Sequence, residues 1–239
     1  MPSLPIRAYR KFHRWITFNR DMPGEILNDK FSRCIERLAK LPEVRTILEI
    51  GSAAGAGSTE AFVRAISTNP AGKTLFCMEI VAERFAALNR RYGDKPFLKA
   101  YQCSSVPPQT YTTEQEVKDW IAAVSRERRP LERHSLWTNY LKEVAFIREP
   151  RPDLPKDGIE LIKQENRIDT FDLVLIDGSE YTGRAELERV YGARYILLDD
   201  TQVLKNYSNT ARLLQDRSYR LLEADPLLRN GYAAFERVG

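Results

Sequence analysis

Two histidines and three cysteines in 239 residues leave little material for several kinds of chemistry. Cys34, Cys77 and Cys103 are odd in number and none stands in a CxxC pair, so no disulfide framework is indicated. With only His13 and His134 to join them, a zinc site is not indicated either. Neither histidine has an acid–base partner that the sequence reveals, and no nucleophile elbow or Ser-His-Asp order appears. The start, MPSLPIRAYRKF, has no apolar run of the signal-peptide kind. No stretch approaches about 18 uninterrupted apolar residues, so no membrane partner is expected. A soluble protein of a reducing, cytoplasmic compartment fits these absences, and internal repeats are absent too.

What remains is the composition of an ordinary globular chain, 43% apolar and 29% charged, long enough for one sizeable domain spanning residues 1–239. Lys and Arg exceed Asp and Glu by 37 − 33 = 4, which alone says little about partners. The stretch RAYRKFHRWITFNR, within an N-terminal helical segment at residues 1–44, mixes basic and aromatic residues. It reads either as an amphipathic helix with solvated charges or as an arm that touches phosphate or an acidic partner. The oligomeric state is left open, with a homo-oligomer among the alternatives.

Four short aliphatic runs, RTILEIG (45–51), KTLFCMEI (73–80), FDLVLIDG (171–178) and ARYILLDD (193–200), read as buried parallel strands. Helix-period stretches STEAFVRAIS, AERFAALNRRYG and RAELERVYG follow the first three, the alternation of a doubly wound α/β fold. At the end, YRLLEAD and GYAAFERV flank a turn at Asn230-Gly231 and predict an antiparallel pair. Residues 106–169, rich in proline, exceed what a strand-to-strand crossover needs. They contain helical patterns at 113–128 and 135–149 and predict a lid or an interface.

The first strand runs into Glu49-Ile50-Gly51-Ser52-Ala53-Ala54-Gly55-Ala56-Gly57-Ser58-Thr59. Small residues there let the backbone turn tightly and a ligand approach the main chain. The spacing is not Gly-x-Gly-x-x-Gly, and no Lys-Ser or Lys-Thr follows as in a P-loop. Glu49 would repel a pyrophosphate and favour a cation, while Glu79, at the end of the second strand, is placed to accept both hydroxyls of a ribose. S-adenosylmethionine fits this pattern better than NAD.

Glu49, Gly51, Ala53 and Gly55 match the Asp/Glu-x-Gly-x-Gly/Ala-x-Gly motif, and in this the chain resembles the class I S-adenosylmethionine-dependent methyltransferases. The resemblance implies a Rossmann-like, seven-stranded, mostly parallel sheet with helices on both faces and a C-terminal antiparallel hairpin. It implies that Glu49 and the loop, including Ser52 and Ser58, face the methionine part, that Glu79 holds the ribose, and that Asp177 borders the cofactor. After the third strand the family often places an acid for the adenine amine. Here Cys103, Ser104 and Ser105 stand instead, and a hydroxyl of Ser104 or Ser105 is the expected substitute.

Asp177, Asp199 and Asp200 fall at two strand ends, as in the metal-dependent catechol O-methyltransferase-like branch. The resemblance implies Mg2+ or another divalent cation on these three, activating a hydroxyl of a small-molecule acceptor such as a sugar or an aromatic. A lysine often stands three residues after the first metal Asp; here the position is Glu180, followed by Tyr181. Asp177, Glu180 and Tyr181 are therefore the candidate catalytic residues, with Lys205 and Asn206 at the same rim. The plainer reading is that Asp177-Gly178 forms a turn and that Asp199 or Asp200 caps a helix. A nucleic-acid methyltransferase using the basic arm, and a binding protein without transfer chemistry, are the alternatives.

Overall fold

The computed structural model describes residues 26–124, 130–149 and 151–238. The basic RAYRKFHRWITFNR stretch lies outside them, and of the N-terminal helical segment only α1 (Lys30–Ala39) is described. The chain then runs β1 (Thr46–Ile50), α2 (Ser58–Ser67), β2 (Thr74–Glu79), α3 (Ala82–Tyr92) and β3 (Leu98–Gln102). A 3-10 turn (Pro108–Thr110), α4 (Glu114–Val124), α5 (Pro130–Arg148) and α6 (Gly158–Asn166) follow. The second half is β4 (Leu173–Ile176), α7 (Gly183–Val190), β5 (Tyr195–Asp199), α8 (Leu204–Gln215), β6 (Tyr219–Asp225) and β7 (Tyr232–Arg237).

One seven-stranded sheet has the order β3-β2-β1-β4-β5-β7-β6, parallel except where β7 pairs with β5 and β6. The near-continuous aliphatic runs are explained by two covered faces. Ile47 of β1 packs in a core with Phe31 and Ile35 of α1, Phe62 and Ile66 of α2 and Leu88 of α3. Leu48 and Ile50 point the other way, to Ile159 and Ile162 of α6, Leu187 of α7 and Leu213 of α8. The mostly parallel sheet, the helices on both faces and the closing antiparallel pair are as the sequence implies. Among the described residues no helix is long and apolar enough to cross a membrane.

The segment 106–169 divides in a way the sequence did not disclose. α6 buries Ile159 and Ile162 against the sheet and is the ordinary crossover helix into β4, so the added material ends near residue 157. α6 is short and shows only this one apolar i, i+3 pair among its buried large residues, too little periodicity to stand out. α4 and α5 pack on each other, and Val117 and Tyr140 form a separate apolar cluster with Tyr181, bordered by Leu204. The amide of Thr112 donates to the Tyr181 carbonyl at 2.9 Å, and Arg184 pairs with Glu116 at 2.6 Å. The added helices thus dock on the loops after β4 and β5.

Strand order reverses between β1 and β4, and the loops leaving these strands touch. Gly51 has φ +91°, and a Cβ there would lie 2.2 Å from the Asp177 carbonyl oxygen. Gly72 also has positive φ, +71°, but open space around it. Gly51→Ala therefore combines backbone strain with a clash and is expected to cost about 3 kcal/mol or more. Gly72→Ala pays only the left-handed conformation, roughly 1–2 kcal/mol. Denaturant titration of both variants checks this; equal losses would contradict the close approach of the two loops.

Candidate active site

The face on which Glu49 lies decides its role. It alternates with Leu48 and Ile50 and so points under the N-terminus of α2, fully buried. The Ser58 hydroxyl donates to its Oε1 at 2.6 Å and the Thr59 hydroxyl to its Oε2 at 2.7 Å. Burial pushes its pKa up, and the hydroxyls of Ser58, Ser52 and Thr59 counter that. Glu49 thus pins the start of α2 beneath the glycine loop. The loop itself turns through Gly51, Ala53 (φ +47°) and Gly55 (φ +78°), with the amides of Gly51 and Ser52 donating to the Met78 carbonyl. Gly55 is packed against Tyr92, whose hydroxyl donates to its carbonyl at 3.0 Å.

Glu79 is the last residue of β2 and is nearly buried. Burial raises its pKa, while the amides of Val81, Ile80 and Ala53 hold its carboxylate in place; the Val81 bond is 2.7 Å. Ser104 and Ser105, expected beside an adenine, already have partners. The Ser104 hydroxyl lies 2.8 Å from the Val106 carbonyl and 2.9 Å from the Tyr111 hydroxyl. Ser105 donates to Glu186 Oε1 at 2.6 Å. Glu186 is fully buried and its Oε2 has no hydrogen-bond partner among the described residues. A small open cleft, with a cavity volume of only about 20 Å³, lies beside Ile80 and Ser104, walled by Ile147, Leu154, Arg151 and Lys156 of the added segment.

The three aspartates do come together. Asp177 follows β4, Asp199 ends β5, and Asp200 takes a left-handed φ of +58°. Neighbouring residues of a strand point to opposite faces, and this reversal is what returns Asp200 to the side of Asp199. One oxygen from each lies within 4.8 Å of the others. The chemistry of that donor set suits a hard divalent cation.

The cations in reach are the protein's own. Lys205, in the first turn of α8 with 7% of its side chain exposed, places Nζ 2.9 Å from Asp177 Oδ1 and 2.7 Å from Asp200 Oδ2. Arg229, from the loop between β6 and β7, donates to Asp199 Oδ1 at 3.0 Å and pairs with Asp29, the N-cap of α1. Asn230 donates to Asp200 Oδ1 at 2.9 Å. Burial opposes the charge on Lys205, and Asp177 and Asp200 more than restore it, so its pKa stands well above the usual value. Burial likewise raises Asp177 and Asp199, whereas at Asp200 Lys205 and Asn230 outweigh burial and lower it. A divalent ion on the same oxygens would sit beside the ammonium, and like unit charges about 4 Å apart already repel by about 4 kcal/mol near a protein surface. With Lys205 in place, the cluster does not fit a metal.

Glu180 and Tyr181 part company. Tyr181 is buried, donates its hydroxyl to the Leu136 carbonyl at 2.9 Å, and packs edge-on against Tyr140. Burial moves its phenol pKa upward, so it serves to seat α5. Glu180 Oε1 is buried without a hydrogen-bond partner among the described residues. Burial pushes Glu180 up to about 7, with Lys205 opposing. Glu143 of α5 approaches Ser179 and is also raised by burial. Lys205 was legible only as a rim residue; Arg229, Glu143 and Glu186 were not found, because each reaches the site from another element and none belongs to a local motif.

No protein-family profile and no curated protein sequence matches the chain. Solved structures do match its fold. The O-methyltransferase TomG from Streptomyces achromogenes, solved with SAM, is similar at TM-score 0.55 and 12% identity, over 94% of this chain and 86% of that one. An O-methyltransferase from Bacillus cereus, solved with SAH, is similar at TM-score 0.52 and 11% identity, over 99% and 93%. A methyltransferase from Geobacter sulfurreducens gives TM-score 0.53 at 13% identity, over 100% and 91%. The chain thus has the α/β fold of these methyltransferases over nearly its whole length.

Proposed function

We propose that the protein is an S-adenosylmethionine-dependent methyltransferase that methylates a hydroxyl of a small acceptor. The observation that carries the reading is the edge at which β1, β2 and β4 end. A near-bare turn at 51–57 lies beside the buried Glu79 carboxylate. Glu79 would accept the ribose hydroxyls. Around the ends of β4 and β5, Asp29, Asp177, Asp199 and Asp200 outnumber Lys205 and Arg229, a setting that favours a sulfonium over a pyrophosphate. The same sign disfavours a nucleic-acid backbone, which speaks against the nucleic-acid alternative. The similar structures solved with SAM and SAH support the cofactor.

Methyl transfer needs alignment of oxygen, methyl and sulfur more than covalent help. A proton must still leave the acceptor hydroxyl. Glu180, with a pKa of about 7 and an unpartnered buried oxygen, is the group suited to take it. α4 and α5 stand over the loop that carries Glu180 and would exclude water and shape the acceptor site.

Calorimetry with S-adenosylhomocysteine tests the cofactor reading, and a chain that shows no binding would end it. Glu79→Gln keeps the shape and loses the charge-assisted bonds to the ribose, with affinity expected to fall about tenfold or more. A base works in its deprotonated form, so turnover should rise with pH through about 7. Glu180→Gln should lower it by about 100-fold or more and flatten that profile. Stability runs the other way. Folding raises the Glu180 pKa from 4.5 to about 7, so its contribution is complete below 4.5 and lost as pH rises through 7. Melting curves should therefore show Glu180→Gln gaining on the wild type by on the order of 2 kcal/mol at pH 8 relative to pH 5.

A further inference from the structure

We infer that the Lys205 ammonium is the resident cation of the Asp177–Asp199–Asp200 cluster and that it keeps divalent metal ions out. Three aspartates alone would read as a metal site, and it is their partners that reverse the reading. Four of the six carboxylate oxygens already receive protein donors: Asp177 Oδ1 and Asp200 Oδ2 from Lys205, Asp200 Oδ1 from Asn230, and Asp199 Oδ1 from Arg229. An ion would have to displace at least the lysine, and the lysine is not free to leave. Its side chain is 7% exposed. Its backbone is wedged against α7, where a Cβ on Gly183 would lie 2.0 Å from the Lys205 carbonyl oxygen. The next residue, Asn206, is fully buried and donates to the carbonyls of Ile176 and Asp199 at 3.1 and 2.6 Å, fixing the first turn of α8 to the ends of β4 and β5. Withdrawal of the ammonium with no other cation in its place would strand two largely buried carboxylates.

For the methyl-transfer reading, on which this part of the inference rests, the consequence is specific. The charge that would steady a developing acceptor oxyanion is an ammonium supplied by α8, and transfer is indifferent to chelators.

The test is Mn2+ titration of the full, chelator-treated chain, with free ion followed by electron paramagnetic resonance. The wild type should show no saturable site up to roughly millimolar ion, the weak end of protein oxygen sites. Lys205→Met keeps the length, removes the charge, and should gain one site bound about tenfold or more tighter; adding Asp199→Asn should remove it again. A saturable wild-type site that Asp199→Asn abolishes would overturn the inference, as would a folded Lys205→Met variant that binds Mn2+ no better than wild type. If circular dichroism shows that Lys205→Met does not fold, the wild-type titration, with and without Asp199→Asn, decides by itself. S-adenosylhomocysteine calorimetry on the same samples separates the two readings: lost cofactor binding sinks methyl transfer, while the Mn2+ result alone judges the exclusion of metal.

Discussion

The arrangement of the strand ends depends on one buried ammonium. Lys205 ties the loop after β4, through Asp177, to the reversed residue after β5, Asp200, and does so from a third element, α8. The network continues through Asp199 and Arg229 to Asp29 at the start of α1, so the closing hairpin and the first described helix are tied to the same cluster. Breaking a buried pair by removing one partner typically costs about 3–5 kcal/mol, because the other charge stays behind unpaired. That asymmetry makes the cluster a constraint: every element that reaches it must arrive in register, or a carboxylate is stranded.

The two glutamates at the ends of β1 and β2 show how position along a strand separates an acid held beneath a helix from one held at the rim. Glu49 is one residue short of the end of β1, so it lies over the sheet and is consumed by the hydroxyls of α2. Glu79 is the terminal residue of β2, where amides of the following turn can hold it at the rim. Burial raises the pKa of both, but only the second has its carboxylate at the edge where open α/β sheets bind ligands. Methyltransferase-like motif spacing alone does not make that distinction.

Those parts of the molecule that are continuous in sequence were legible. The strands at 46–50, 74–79, 173–176 and 195–199 follow from aliphatic runs, and the helix at 58–67 follows from its apolar spacing, because each signal is local. The closing antiparallel pair was legible from its strand patterns, although six residues, 226–231, separate the strands. The meeting of Asp177, Asp199 and Asp200 was legible because two neighbouring parallel strands end together. What was not legible is long-range: Lys205 was legible as a rim residue but not as the partner of Asp177 and Asp200, and Arg229 and Glu186 belong to no local motif. Their roles come from tertiary contacts such as Lys205–Asp177, Glu186–Ser105 and Arg229–Asp29, which are 28, 81 and 200 residues apart in the chain and for which a sequence pattern carries no sign. Within residues 106–169, α6 is likewise distinguished from α4 and α5 only by which surface it buries.

The placement of α4 and α5 links the charge cluster to acceptor choice. They rest on Tyr181 and Leu204, the residues that flank Glu180 and Lys205 in sequence, so the helices that would contact an acceptor also hold the candidate base and the cation in place. Glu143 on α5 brings another carboxylate toward Ser179, and with Asp177, Glu180 and Glu186 it surrounds Lys205 with acids whose pKa values burial raises. On the methyl-transfer reading proposed above, an anionic acceptor entering here would lose its water beside acids that burial already disfavours as anions. A neutral polyol or phenol meets no such penalty, and its hydroxyl proton is the one group that a carboxylate of pKa about 7 can remove without leaving two like charges together. On that reading, the burial that raises Glu180 would also set the sign of what it could act upon.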